Sequence, residues 1–251
     1  MYRSRAEGKE EKEDIIMKKD RVCAIVLAAG KGSRMGTDTP KQYLEVMGKP
    51  ILYYSLKAFE DCDAVDTMIL VTGAEELDYC RSEIIDRYGF SKIQSVVAGG
   101  SERYFSVFEG LKAAEKTGCR WVMIHDGARP FVDNEIIEHN LETARRCKTA
   151  VTGMPVKDTI RICEEDGRSI STPDRRMVWQ VQTPQTFLCK DILDAYQTMI
   201  SRGHTDGITD DAMVAERFGQ IRTVMTEGSY RNIKITSPED LQWMRMHLRE
   251  K

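Results

Sequence analysis

Two cations and a run of small residues carry the first chemical signal. Arg34 and Lys41 bracket A-A-G-K-G-S-R-M-G (28–36), which directly follows the apolar run V-C-A-I-V-L (22–27). Small residues there let the backbone approach a ligand closely, with peptide N–H groups aimed at phosphate oxygens. Two common loops are excluded. The dinucleotide pattern G-x-G-x-x-G begun at Gly30 requires glycine where Met35 stands, and the P-loop requires G-K-[ST] where the chain has Gly48-Lys49-Pro50. What remains is a phosphate cradle with two extra cations, suited to a triphosphate whose leaving group gains charge as a phosphoryl bond breaks. The same residues also allow an ordinary strand-to-helix turn with solvated Arg and Lys.

Carboxylates supply the second signal. Asp126 lies between an apolar run and Gly127, a place that helix capping does not explain, and a hard cation such as Mg²⁺ suits it. The second metal carboxylate is Asp210 or Asp211, in competition with a reading of Thr209-Asp210 as a helix N-cap and first-turn acid. Arg129, three residues beyond Asp126, offers a bidentate clamp for a phosphate, or a salt bridge to a neighbouring acid. Arg103 and Ser106, in G-G-S-E-R-Y-F-S, fall in the first turn of a helix, where an anion or a polar base edge is favoured. His125 reads as a packed strand residue rather than a base. The chain shows no Ser/His/Asp or Cys/His triad, and phosphoryl transfer needs none.

The elements that must position these groups alternate. Strands are expected at 22–27, 67–72, 93–97, 121–125 and 150–156, each a β-rich apolar run. Between them, helices are expected from Pro50, over 75–88 up to Gly89, from a Ser101 cap to Lys116, and from an Asp133 cap to about Arg146. This βαβ rhythm predicts an α/β, doubly wound, mostly parallel sheet with ligands beyond the carboxyl ends of its strands. The rhythm breaks over 157–185. There 159–163 and 168–170 read as two short strands around Asp166-Gly167, a protruding hairpin arm at about 157–176. Helices at 189–202 and 209–218, strands at 221–225 and 231–235, and a last helix opened by the capping box Ser237-Pro238-Glu239-Asp240 complete the chain.

Composition narrows the class. The 251 residues suffice for one α/β domain over 21–251, preceded by a charged, mobile extension at 1–20 that lacks the apolar centre of a signal peptide. A net charge of −3 with no basic block argues against nucleic acid. Seven scattered cysteines without a C-x-x-C point to reduced thiols and a cytoplasmic location, and no apolar run is long enough for a membrane span.

Seven motifs in order, L-A-A-G-K-G-S-R-M-G with P-K-Q (27–36, 40–42), A-G-G-S-E-R-Y-F-S-V (98–107), H-D-G-A-R-P-F (125–131), P-V-K-D-T-I (155–160), D-R-R-M-V-W-Q-V-Q-T-P-Q-T-F (174–187), T-D-D-A (209–212) and N-I-K-I-T-S-P-E-D-L (232–241), closely resemble the 2-C-methyl-D-erythritol 4-phosphate cytidylyltransferase family. The first motif is common to many nucleotidyltransferases; the ordered set is specific. The resemblance implies a Rossmann-like nucleotidyltransferase fold and a Mg²⁺-dependent reaction of the non-mevalonate isoprenoid pathway. In it the 4-phosphate of methylerythritol phosphate attacks the α-phosphorus of CTP and releases pyrophosphate. It also implies roles for residues: Arg34 and Lys41 stabilise the triphosphate and the pentavalent centre, and the backbone of Ala28, Ala29, Gly30, Lys31 and Gly32 holds phosphates. Gly100, Ser101 and Ser106 match cytosine and ribose contacts. Position 101, often aspartate in the family, is serine here, which leaves a backbone contact. Asp126 and Asp210 match the acids near the metal, and Arg129, Thr159 and Arg175 contacts to the sugar phosphate.

Three alternatives stand beside this expectation: a ribitol 5-phosphate cytidylyltransferase, a nucleotide-sugar glycosyltransferase, and a nucleotide-binding regulator without catalysis. D-R-R-M-V-W and P-V-K-D-T weigh against the first, the lack of a D-x-D after a strand against the second, and Arg34, Lys41, Asp126 and Asp210 together against the third. An isolated hairpin is marginal in water, so the 157–176 arm needs a surface to pack on. A second copy related by a twofold axis supplies it, and the resemblance implies that the arm crosses between subunits of a homodimer and delivers Arg175 to the neighbouring site.

Overall fold

The computed structural model describes residues 20–30 and 39–248. At its centre is β1 (Val22–Ala28), buried almost throughout, flanked in parallel by β4 (Thr67–Thr72) on one side and β6 (Trp121–Asp126) on the other. Alternate residues of a strand face opposite sides of a sheet. Val22, Ala24 and Val26 therefore pack with Leu52, Leu56 and Phe59 of α1 (Ile51–Asp61), and Cys23 and Ile25 pack on the other face with Val107 and Leu111. Both faces are covered, which is why this run is continuously apolar rather than alternating.

Among the described residues the sheet has seven strands in the order β11-β7-β10-β6-β1-β4-β5, with β5 at Ile93–Ala98, β7 at Thr149–Pro155, β10 at Trp179–Leu188 and β11 at Met225–Glu227. It is a mostly parallel, Rossmann-like α/β arrangement. β10 alone runs antiparallel, between β6 and β7. A two-residue ladder, β2 (Glu45–Val46) with β3 (Lys49–Pro50), lies apart from it.

The helical segment at 74–86 is a succession of a 3₁₀ turn, a short α2 (Leu77–Tyr79) and a π-helical stretch (Cys80–Asp86), ended by Gly89 at φ +68°. α3 (Arg103–Glu115) starts after Glu102, without a side-chain cap, so Ser101 does not cap it as expected. α4 (Asn134–Cys147) is capped by Asp133, whose carboxylate accepts from Ile136 N, as the sequence predicted. α5 (Cys189–Arg202) also falls in place.

Three further expectations are corrected. α6 (Asp211–Gly219) begins two residues later than expected, because Asp210 is its N-cap. The strand expected at 221–225 is β11, displaced to Met225–Glu227, and 231–235 is no strand. Instead 231–235 is bonded to the loop after β6 and to β10: Ile235 N donates to Ala128 O, and the Asn232 side-chain amide to Thr183 O. It leads into α7 (Pro238–Leu248), where Ser237 and Asp240 exchange capping hydrogen bonds.

The arm is present as β8 (Ile162–Cys163) and β9 (Ser169–Ser171), turning at Gly167 (φ +87°). Both strands are exposed, and Ile170 is 62% accessible.

Candidate active site

The loops beyond β1, β5 and β6 converge at one sheet edge and enclose a cleft of about 440 Å³. From the end of β1 come Ala28, Ala29 and Gly30; from the β5–α3 loop come Gly100 and Ser101, and from the first turn of α3 Arg103 and Ser106; from β6 comes Asp126. Lys41, Gln42 and Lys234 complete the wall. Gln42, buried, donates to the carbonyls of Ala28 (2.6 Å) and Gly30 (3.1 Å) and so fixes the backbone leaving β1. Lys41 Nζ donates to Ile235 O at 3.0 Å, which brings it beside the segment that carries Lys234.

The β5–α3 loop is shaped by a close approach. A Cβ at Gly100 would meet Phe105 Cβ at 2.3 Å, so a side chain there displaces the loop. The buried Ser106 hydroxyl accepts from Gly100 N (3.2 Å) and lies 3.2 Å from Glu102 O. Ser106 thus lines the cleft and shapes the loop, while Ser101 is exposed at its mouth.

A second pocket of about 240 Å³ adjoins the first and shares Arg103, Asp126 and Lys234 with it. It adds Arg129, Gln182, Thr183, Gln185, Thr209 and Asp210. Asp126 stands in the common wall, ringed by Lys234 Nζ (2.8 Å), Arg103 Nε (3.3 Å) and Arg129 Nε (3.8 Å). Burial opposes its ionisation, but the charges of Arg103, Lys234 and Arg129 outweigh burial and hold it well below the usual carboxylate range. Arg129 Nη1 donates to Asn232 O (2.8 Å), and burial presses its guanidinium below the usual arginine range.

Behind this wall runs a chain of neutral hydrogen bonds. His125 Nε2 lies 3.3 Å from Arg129 O, a group that only accepts, so the proton belongs on Nε2 and Nδ1 accepts from the Thr183 hydroxyl at 3.0 Å. Thr183 Oγ1 in turn accepts from Asp126 N at 3.1 Å. The chain links the backbones of Asp126 and Arg129 through a neutral imidazole, and burial holds that imidazole down at about 3. His125 is a packed strand residue, as the sequence reading held.

Asp210 lines the second pocket, but both its oxygens are engaged: one caps Met213 N (2.9 Å) and the other accepts from Gln185 Nε2 (3.0 Å). Capping therefore describes its contacts here, one residue on from the sequence reading: Asp210 rather than Thr209 is the N-cap, and Asp211 is the first-turn acid. Thr159 and Arg175 line neither pocket; Arg175, on the exposed return of the arm, donates to Lys157 O. Arg34, Lys31 and Gly32 lie outside the described residues, as does the proposed extension up to residue 19. Sequence reasoning missed Lys234 and Gln42 as site residues. Both stand within the quoted motifs, N-I-K-I-T and P-K-Q, but nothing local marks them as converging on Asp126 or on the β1 loop.

Residues 22–250 match the family model of 2-C-methyl-D-erythritol 4-phosphate cytidylyltransferase. The chain belongs to that family. An enzyme of that name from Clostridium botulinum (strain Eklund 17B) is 48% identical over 220 residues, covering 88% of this chain and 96% of the relative. Another from Lachnospira eligens is 46% identical over 219 residues, covering 87% and 95%. The crystal structure of 4-diphosphocytidyl-2C-methyl-D-erythritol synthase from Anaerococcus prevotii superposes with a TM-score of 0.80 at 32% identity, covering 92% of this chain and 96% of that one. The family match begins at the first residue of β1 and runs past α7, so it takes in every element that contributes to the cleft.

Proposed function

We propose that the two adjoining pockets hold the two substrates of the family's reaction, CTP in the larger and the acceptor phosphate in the smaller. As a member of the family the chain is a cytidylyltransferase of isoprenoid biosynthesis: it transfers CMP from CTP to 2-C-methyl-D-erythritol 4-phosphate. An acceptor phosphate oxygen forms a bond to the α-phosphorus as the bond from that phosphorus to the bridging oxygen breaks, and pyrophosphate leaves. The observation that supports the placement is the common wall of Asp126, Arg103 and Lys234, since donor and acceptor phosphates must meet within bonding distance. Lys41 and Lys234 then balance charge on the triphosphate and on the five-coordinate centre. Arg34 joins them in this reading on family resemblance alone. Gly100 and Ser101 border the base and ribose, with Ser101 contributing through its backbone.

The family's enzymes generally use a divalent metal, and we assign Mg²⁺. Asp126 fits it once Lys234, 2.8 Å from its Oδ2, turns to the phosphates: a carboxylate at the meeting point of two anion pockets suits an ion that takes most of its ligands from phosphates and water. Asp210 fits only if it gives up its cap or its bond to Gln185. When bound, the ion would neutralise phosphate charge during displacement.

The exposed arm supports a homodimer, with Thr159 and Arg175 serving the partner's acceptor pocket. Ile170 and Met177 leave 62% and 81% of their surface accessible, apolar area that a second copy would cover. Seven free thiols support a reducing, cytoplasmic setting, and among the described residues no helix is long and apolar enough to cross a membrane. Pyrophosphate release from CTP, measured with methylerythritol phosphate, ribitol phosphate or no acceptor, tests the reaction. Release with the first alone is expected; equal release with ribitol phosphate would overturn the acceptor assignment.

A further inference from the structure

Arg103, the first residue of α3, does not hang free in the wall it shares between the two pockets. Its Nη1 and Nη2 donate to Oδ1 and Oδ2 of Asp211 at 2.9 and 2.8 Å, a fork-on-fork pair that sets the plane of the guanidinium. Asp211 is fully buried at the start of α6, and its Oδ1 also accepts from the Tyr196 hydroxyl of α5 at 2.6 Å. Tyr196 is itself fully buried. With both terminal nitrogens committed, only Nε faces Asp126, at 3.3 Å from Oδ1.

We propose that Tyr196 and Asp211 are positioning residues for cytidylyl transfer: they lock Arg103 so that it gives Asp126 one N–H rather than two. This rests on the reading above that Arg103 borders both substrates. A guanidinium released from Asp211 would be free to turn its fork onto Asp126, the nearest remaining carboxylate, and would take up both oxygens in a bidentate pair. Asp126 would then be withdrawn from Lys234 and from the ligands it serves. A buried ion pair is weak evidence for stability on its own, because desolvation offsets much of its attraction. The fixed direction of Nε into the shared wall is what this arrangement specifically provides.

The test is a coupling measurement. Tyr196→Phe and Asp211→Asn are each made in the wild-type chain and in Arg103→Lys, a side chain that cannot form the fork. Pyrophosphate release at saturating substrates gives kcat, and KM for CTP is read separately. In the wild-type background Tyr196→Phe should lower kcat roughly tenfold, the lower end of the ~10–100-fold typical of residues that orient a site group, with KM for CTP little changed. In the Arg103→Lys background the same substitution should leave kcat unchanged. Equal losses in both backgrounds would overturn the proposal and leave Tyr196 a packing residue. Should Tyr196→Phe melt too early to assay, Asp211→Asn, measured below its own melting temperature, poses the same question with the same two outcomes. Wild-type kcat and KM in Arg103→Lys would instead overturn the placement of Arg103 in the wall, and lack of pyrophosphate release from the wild-type chain would overturn the reaction itself.

Discussion

Lowering the pH from 7.5 to 5.0 should cost this protein about 2 kcal/mol of stability through His125 alone. The folded imidazole is held at about 3, chiefly by burial and further by Arg129, with Asp126 opposing. A second proton on Nδ1 would also forfeit the hydrogen bond from Thr183. In the unfolded chain the ring titrates near its ordinary value of about 6.5. Below that value the unfolded state binds a proton that the folded state refuses, so stability is full above it and declines as pH falls toward 3. Each pH unit in the window withdraws about 1.4 kcal/mol, and pH 5.0 lies about 1.5 units into it. Asp126 does not blur the measurement. Its carboxyl is held low by Arg103, Lys234 and Arg129 against burial, so its contribution is lost only below about pH 4, where an unfolded aspartate protonates. The assay is urea unfolding of the wild-type chain and of His125→Asn at both pH values, without nucleotide or divalent cation. Asn retains an acceptor for Thr183 and does not titrate, and the other histidines cancel because both chains carry them. The stability difference between the chains should shrink by about 2 kcal/mol at pH 5.0. Parallel pH dependences, or a His125 resonance of the folded protein, identified by its loss in His125→Asn, that titrates near about 6.5, would refute the reasoning.

Lys41→Ala and Lys234→Ala should lower the single-turnover rate far more than CTP affinity, because charge on the bridging oxygen grows in the transition state; a loss confined to affinity would make both simple binding residues. Gly100→Ala should weaken CTP binding about 5- to 100-fold, since overpacking of about 1–3 kcal/mol at the 2.3 Å contact with Phe105 must move the loop; isothermal titration checks it, with unchanged affinity placing the loop outside the nucleotide site. Mixing Arg175→Ala with Asp126→Ala chains should restore activity that neither has alone, because a heterodimer with arms acting in trans has one intact site; heterodimers that stay inactive would confine Arg175 to its own subunit.

Periodicity and motif order were enough to read the frame. A continuous apolar run marks β1, because a strand covered on both faces needs no polar alternation; of the small residues read as a phosphate cradle, Ala28, Ala29 and Gly30 line the cleft. Asp126 was legible for a similar local reason: an acid between a buried strand and Gly127 has no capping explanation. Capping itself was legible at Asp133 and Ser237, where the signal is confined to one turn. β10 was not. It carries Pro184, which argues against a central strand, and the ladder accommodates it only through a register shift between Val181 and Gln185. The fate of Asp210 and Asp211 also lay beyond sequence. Adjacent acids of one motif part company because a helix start turns Asp210 onto Met213 N and Gln185, while Asp211 is buried against Arg103 and Tyr196. Lys234 shows the same limit, since its stretch reads as a strand and instead bonds to the loop after β6. Local spacing determines strands, turns and caps, whose partners lie within a few residues. Which cation faces Asp126, and which oxygens remain open to a ligand, is decided by elements far apart in the chain that meet only when both faces of the sheet are covered.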